Sequence, residues 1–249
     1  MARLANIFKP KGKAENAPTL PDGLRLYAIG DIHGRDDLLS VLLEKISIDA
    51  AGAPYRLVFL GDYVDRGPTS AQVIDRLIGL KTDRPETVFL MGNHEQSMID
   101  FLADPYEMEA WLDWGGMAAL ESYGMEEPQM INVEAIRDEF SGLIPETHLH
   151  FLLGLDLCFT AGDYIFVHAG LRHGIELEDQ IEKDMLWIRN EFYNADQSYW
   201  AGKCIVHGHT PTQKPKDFGW RINIDTGAVW TGKLTALHLE GTSRRFVTT

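Results

Sequence analysis

Cysteine is scarce in this sequence. Only Cys158 and Cys204 occur, and their spacing matches no metal-binding motif. A disulfide framework is not expected, and two free thiols in a reducing compartment are. Basic charge is also short: 23 Lys and Arg face 37 Asp and Glu, a net charge of −14. Proteins that bind polyanions carry a basic footprint, so no nucleic-acid partner is expected. Long apolar runs are missing as well. The longest, Leu149 to Phe159, contains Gly154 and Asp156 and reaches about half a membrane span. The short apolar stretch Leu4–Phe8 cannot serve as a signal-peptide core. A cytoplasmic protein with no membrane partner is expected. At 249 residues the chain can bury a core large enough to fold without covalent staples.

Residues 1–23 combine Pro10, Gly12, Pro18, Pro21 and Gly23 with Arg3, Lys9, Lys11 and Lys13. They read as a flexible basic leader, and 24–249 as a single domain. Apolar runs ending in glycine predict strands at Leu24–Ile29, Arg56–Leu60 and Thr87–Met91. Helical spacing predicts helices over Asp37–Ile48 and Ala71–Leu80. This alternation implies parallel strands joined by right-handed crossovers. Residues 95–140 read as mostly helical. From Phe151 the pattern turns to strands: Phe151–Phe159 and Tyr164–Val167 around a hairpin turn, then Cys204–His207, Arg221–Asp225 and Leu234–Leu239. The expected fold is α/β (α+β), α/β in the first half and mostly antiparallel β in the second. A central β-sandwich of mixed sheets flanked by helices satisfies both halves.

The three early strands end alike: Gly30-Asp31-Ile32-His33-Gly34, Gly61-Asp62-Tyr63-Val64-Asp65-Arg66-Gly67 and Gly92-Asn93-His94-Glu95. Open α/β sheets bind ligands at the carboxyl ends of their strands. Each loop turns sharply at glycine and then presents an oxygen or an imidazole. Later strands end at His168 and at His207-Gly208-His209-Thr210. One Asp or His after a strand is usually a turn former. Five histidines in glycine-bracketed strand ends are not explained that way. Oxygen and imidazole donors without thiolate suit Mn, Fe or Zn better than Ca or Mg. Six or more donors exceed one tetrahedral site and imply two metals sharing a carboxylate.

In this order, GDIHG, GDYVDRG, GNHE, VHAG and HGHT resemble the phosphoprotein phosphatase family within the metallophosphoesterase superfamily. The short bacterial type, similar to the bacteriophage lambda protein phosphatase, is nearest, and Ile224–Gly241 resembles it too. The resemblance implies a dimetal site at the strand carboxyl ends. Asp31 and His33 would hold the first metal, Asp62 would bridge, and Asn93, His168 and His209 would hold the second. The ions would be two divalent metals, Mn first, with Fe or Zn as alternatives. His94 would be the acid, oriented by Asp65, and Arg66 and Arg189 would hold phosphate. Arg172 and Arg221 are alternatives to Arg189. His207 is read as a partly exposed strand-end residue, and Glu95 as a helix-start residue.

The implied activity is a Ser/Thr protein phosphatase, in which a metal-bridging hydroxide attacks phosphorus in line. The partner would be a phosphoprotein or phosphopeptide, and the chain a monomer. The alternative is a symmetric diadenosine-tetraphosphate hydrolase. Those enzymes read ARG and NHD where this chain has Asp65 and Glu95, which favours the phosphatase. Trp187 and Trp230 are read as packing residues, and so is the helical segment 104–147. Cys204 lies near the site in sequence and is a candidate for oxidation.

Overall fold

A computed structural model describes residues 17–126, 132–200 and 202–249. Most of the expected leader, 1–16, lies outside the described residues. The chain begins with β1 (Arg25–Ile29), α1 (Asp36–Ala50), β2 (Arg56–Phe59), α2 (Ser70–Asp83), β3 (Val88–Phe89) and α3 (Asn93–Ala103). A kinked segment, Leu112–Gly116, leads to α4 (Met117–Ser122), α5 (Val133–Leu143) and α6 (Glu146–Leu153). Then come β4 (Cys158–Ala161), β5 (Tyr164–Val167), α7 (Glu182–Trp187), α8 (Asn190–Tyr193), β6 (Cys204–His207), β7 (Lys216–Asp217) and β8 (Arg221–Asn223). The chain closes with α9 (Ala228–Thr231), β9 (Thr235–Glu240) and β10 (Ser243–Thr248).

Two five-stranded sheets result, ordered β10-β9-β1-β2-β3 and β4-β5-β6-β8-β7. β1, β2 and β3 run parallel, as the alternation predicts, and β9 and β10 add antiparallel strands at one side. Period-two alternation sorts each strand between two cores. On β1, Leu26 and Ala28 face the second sheet and meet Tyr164, Phe166, Val206 and Ile222. Tyr27 and Ile29 face the other way, into a core with Leu39, Leu42, Val73, Phe101 and Phe140 from the helices. The outer face of the second sheet, Ile165, Val167 and Ile205, is covered by Met185, Ile188 and Phe192. The order of layers is helix, sheet, sheet, helix, so the expected sandwich is present.

The second half departs from expectation in two places. Within the second sheet β5, β6 and β8 are parallel and antiparallel pairing is confined to the edge strands β4 and β7, while β9 and β10 carry their antiparallel pairing to the first sheet. The connections from β5 to β6 and from β6 to β8 are crossovers, which parallel pairing requires. Phe151–Leu153 ends α6 instead of opening a strand. A short apolar run does not distinguish a buried strand from a buried helix. Here Pro145 starts a helix whose Phe151 ring lies 5.2 Å from Phe89.

The described part of the expected leader is docked. Leu20 is buried and its N–H donates to Gly241 O at 3.0 Å. The Thr19 N–H donates to Asp163 Oδ2 at 3.1 Å, and the Asp163 N–H to Thr19 O at 3.0 Å. Residues 19–20 thus join the β9–β10 turn of one sheet to the β4–β5 turn of the other. Among the described residues no helix is long and apolar enough to cross a membrane.

Candidate active site

The parallel strands of both sheets end at one edge of the sandwich, and the loops that follow them converge there. The backbone at these ends is strained. Six non-glycine residues among those described have positive φ, and five lie in these loops: His33 (47°), Asp62 (53°), Asp65 (72°), Arg66 (67°) and His209 (67°). Sparsely populated conformations of this kind persist only where the surroundings over-determine them, and they gather at functional sites. A Cβ on Gly92 would strike the Asp62 carboxylate, so that loop tolerates only glycine.

Asp62 is central. Its Oδ2 lies 3.5 Å from His33 Nε2 and its Oδ1 lies 3.4 Å from His168 Nε2. Asn93 Oδ1 lies 3.0 Å from His168 Nε2 and 2.9 Å from His209 Nδ1. The two imidazole nitrogens are themselves 3.2 Å apart. His33 and His168 turn their other nitrogen, Nδ1, to the carbonyls of Val64 and Leu60, both at 2.9 Å. That contact fixes the tautomer and aims the Nε2 lone pair into the cluster, as in metal-binding histidines. Asp31 accepts the His209 N–H at Oδ2, while its buried Oδ1 has no hydrogen-bond partner.

The donors fit a pair of divalent ions. Asp62 belongs to two groups of converging ligand atoms, one with His33 and His94 and one with His168 and His209. Asp31 Oδ1, buried and unpartnered, is a carboxylate oxygen waiting for a cation. Burial would raise the Asp62 carboxyl, yet the imidazoles of His168, His94, His33 and His209 outweigh it and hold it ionised far below its usual range. Burial pulls His33 down to about 3 and His209 to about 2, so both are neutral donors at pH 7.

Beside the cluster, His94 Nδ1 pairs with Asp65 Oδ2 at 2.6 Å. Burial pulls the His94 imidazole down, but the charges of Asp62 and Asp65 outweigh it and raise its affinity for a proton. Arg66 donates to His33 Nε2 at 2.6 Å and to His94 Nε2 at 2.8 Å. Arg189 donates to His209 Nε2 at 3.0 Å. Both guanidinium groups therefore reach the cluster, one from each sheet. The alternatives do not: Arg172 is held by Asp184 at 2.6 Å, and Arg221 lies over the Phe218 ring at 3.8 Å.

His207 is fully buried, against the expectation of a partly exposed residue. It packs between Phe192 and Tyr193 and faces Arg221, away from the ligands.

Three residues do more at the site than the sequence reading assigned, Glu95 among them, which does start a helix as expected. Glu95 is buried and accepts N–H groups from Asp62 (2.8 Å), Tyr63 (2.7 Å), Val64 (3.1 Å) and Gly92 (2.9 Å). It holds the GDYVDRG loop onto α3. Trp111, inside the segment read as packing, donates its Nε1–H to Asp65 Oδ2 at 2.7 Å. Asp225 is buried beside Asp31 and Asp62, and burial raises it to about 7. Its sequence signal was an Asp at the end of the expected strand Arg221–Asp225, two residues before Gly227. Trp111 had no such signal.

A sandwich whose two sheets deliver these carboxylates, imidazoles and arginines to one edge defines a metal-dependent phosphoesterase. The chain belongs to the calcineurin-like phosphoesterase family, whose model matches residues 24–232. It is a hydrolase of the metallophosphoesterase class, with a site suited to two divalent metals. A Geobacillus thermodenitrificans protein named asymmetrical bis(5'-nucleosyl)-tetraphosphatase PrpE is 31% identical over 86% of this chain and 90% of that protein. The protein of the same name from Halalkalibacterium halodurans is 28% identical, covering 84% and 87%. A solved structure whose name proposes a diadenosine tetraphosphatase superimposes with a TM-score of 0.66 at 22% identity, covering 93% and 96%.

These likenesses overturn the expected Ser/Thr protein phosphatase and its phosphoprotein partner. The reason is visible in the geometry. The choice rested on Asp65 and Glu95, and both are buried against protein groups. Glu95 binds backbone amides, and Asp65 binds His94, Trp111 and, through its own N–H, Ser70 Oγ. Their contacts are to protein groups that organise the site, so they do not by themselves mark a phosphoprotein substrate.

Proposed function

We propose that this protein hydrolyses dinucleoside tetraphosphates asymmetrically, into a nucleoside monophosphate and a nucleoside triphosphate. The observation that carries this reading is the 31% identity, over nearly the whole of both chains, to a protein named for that activity. The position of cleavage follows the relatives' name and replaces the symmetric alternative.

Asp31, His33, Asp62, Asn93, His168 and His209 would hold two divalent ions. When bound, the ions supply positive charge for the phosphate chain and acidify a water that serves as nucleophile. Mn²⁺ is the favoured ion, because the donors are oxygens and imidazoles with no thiolate among them. Arg66 and Arg189 bind non-bridging phosphate oxygens through their planar forks. Phosphoryl transfer is governed mostly by such positioning and charge placement. His94, whose affinity for a proton the Asp65 carboxylate raises, would give a proton to the departing oxygen. Trp111 restrains the Asp65 carboxylate on the far side of that pair.

The test is a product analysis. The Mn²⁺-loaded protein is incubated with diadenosine tetraphosphate and, separately, with a phosphoserine peptide. AMP and ATP in equal amounts are expected from the dinucleotide. Two ADP would overturn the cleavage position. Turnover of the peptide alone would overturn the reading.

A further inference from the structure

The mechanism leaves unused an aromatic side chain exposed beside Arg66. Trp230 lies on α9, and 62% of it is exposed, although burying such a ring is worth a few kcal/mol. Among the described residues no other ring packs on it. Its one ring-face contact is Arg66, whose guanidinium carbon lies 5.2 Å from the ring centroid. Arg66 also reaches His33 and His94, so Trp230 is one guanidinium away from the reacting centre.

The other tryptophans at this edge are committed elsewhere. Trp114 and Trp187 meet edge to face at 5.4 Å, and Trp187 meets His209 at 6.3 Å. Trp230, in contrast, is held open. Gly227 and Gly232 bound its short helix in left-handed conformations, and the Trp230 N–H donates to Gly227 O at 2.9 Å. The Thr231 hydroxyl donates to Thr226 O at 2.7 Å, and Arg35 donates to Ala228 O at 3.2 Å. The platform is fixed in place with its ring in solvent.

We propose that Trp230 is the stacking platform for the nucleobase of the nucleotide whose phosphate sits at Arg66. This rests on the dinucleoside tetraphosphate reading and adds where one base goes. A phosphate at Arg66 places the attached nucleoside within reach of the neighbouring ring. Every base offers a π face, so stacking holds it without demanding one sequence of hydrogen bonds. Arg66 then serves both ends, with its charge on the phosphate and its plane beside the indole.

The test separates the two ideas. Binding of AMP and of inorganic phosphate to the Mn²⁺-loaded protein is measured by calorimetry for wild type, Trp230→Ala and Trp230→Phe. The ratio of the two affinities isolates the nucleoside. One base–aromatic stack is worth roughly tenfold, so Trp230→Ala should lower the ratio about tenfold. Trp230→Phe should restore most of it, and KM for diadenosine tetraphosphate should rise in parallel for the alanine variant. A ratio unchanged in Trp230→Ala, with normal cleavage of the dinucleotide, overturns the platform alone. A ratio that falls as expected in a protein that does not cleave the dinucleotide overturns the activity and leaves the platform standing.

Discussion

Asp62 lies beside His33 and His168 and accepts the His94 N–H, and its carboxyl is held below its usual range despite burial. Asp62→Asn should therefore abolish bound metal and activity together, and elemental analysis after Mn²⁺ loading checks it. Retention of two metals would falsify the bridging role. His94 makes a different prediction, because the same group of converging atoms includes it. If it is the acid, His94→Asn keeps its metals and loses about 10²–10⁴ in kcat. Loss of metal would make it a ligand instead. The pH profile addresses the pair with Asp65. An acid must be protonated to act, so activity falls as pH rises through its pKa. The Asp65 carboxylate helps to raise that value, so Asp65→Asn should move the alkaline limb to lower pH. The ligand candidates are legible in the sequence because each follows a strand and lies within two residues of a glycine. Glu95 and Trp111 are not, since their roles depend on loops brought together from distant parts of the chain.

At the scale of elements, the kinked segment Leu112–Gly116 changes most between sequence and structure. It reads as packing, yet it supports the loop that carries Arg66. Gly115 sits at φ 118°, and its carbonyl accepts the Arg66 N–H at 3.0 Å. A Cβ there would meet the Arg66 side chain at 2.5 Å. Gly115→Ala should cost about 1–3 kcal/mol of stability and weaken phosphate binding, measured by denaturant unfolding and calorimetry. β6 gives the opposite lesson. Cys204 is close to His209 in sequence but lies fully buried in the strand, where burial pushes its thiol up to about 12. Iodoacetamide at pH 8 should leave it unmodified until the protein is denatured; alkylation at Cys204, as distinct from the part-exposed Cys158, in the native chain would contradict this. Strand and helix positions were readable wherever apolar spacing was unambiguous, as on β1 and α2. They failed at Phe151–Leu153, where spacing alone does not separate the two.

At the scale of the whole molecule, net charge −14 and an anionic substrate have to coexist. The reconciliation is local: Arg66, Arg189 and two divalent ions would make a positive island in an acidic surface. Metal that binds only the folded state stabilises it, by about 2.7 kcal/mol at a hundred times Kd. A chain of this size should then gain roughly 5–10 °C in Tm with Mn²⁺ and lose it with EDTA. An unchanged Tm would mean that the metals are not part of the fold's stability.

The docking of Thr19 and Leu20 has a mechanical consequence. These residues tie the two sheets together at the edge opposite the active site, through Asp163 on one and Gly241 on the other. At the far edge the candidate ligands are divided: Asp31, His33, Asp62 and Asn93 come from the first sheet, and His168 and His209 from the second. The sandwich therefore resembles a book with a peptide spine; at its fore-edge His168 meets the Leu60 carbonyl and the His209 N–H meets Asp31, and bound ions would add a second clasp. Opening at that fore-edge moves the two halves of the ligand set apart, so cation affinity measures how firmly the spine holds.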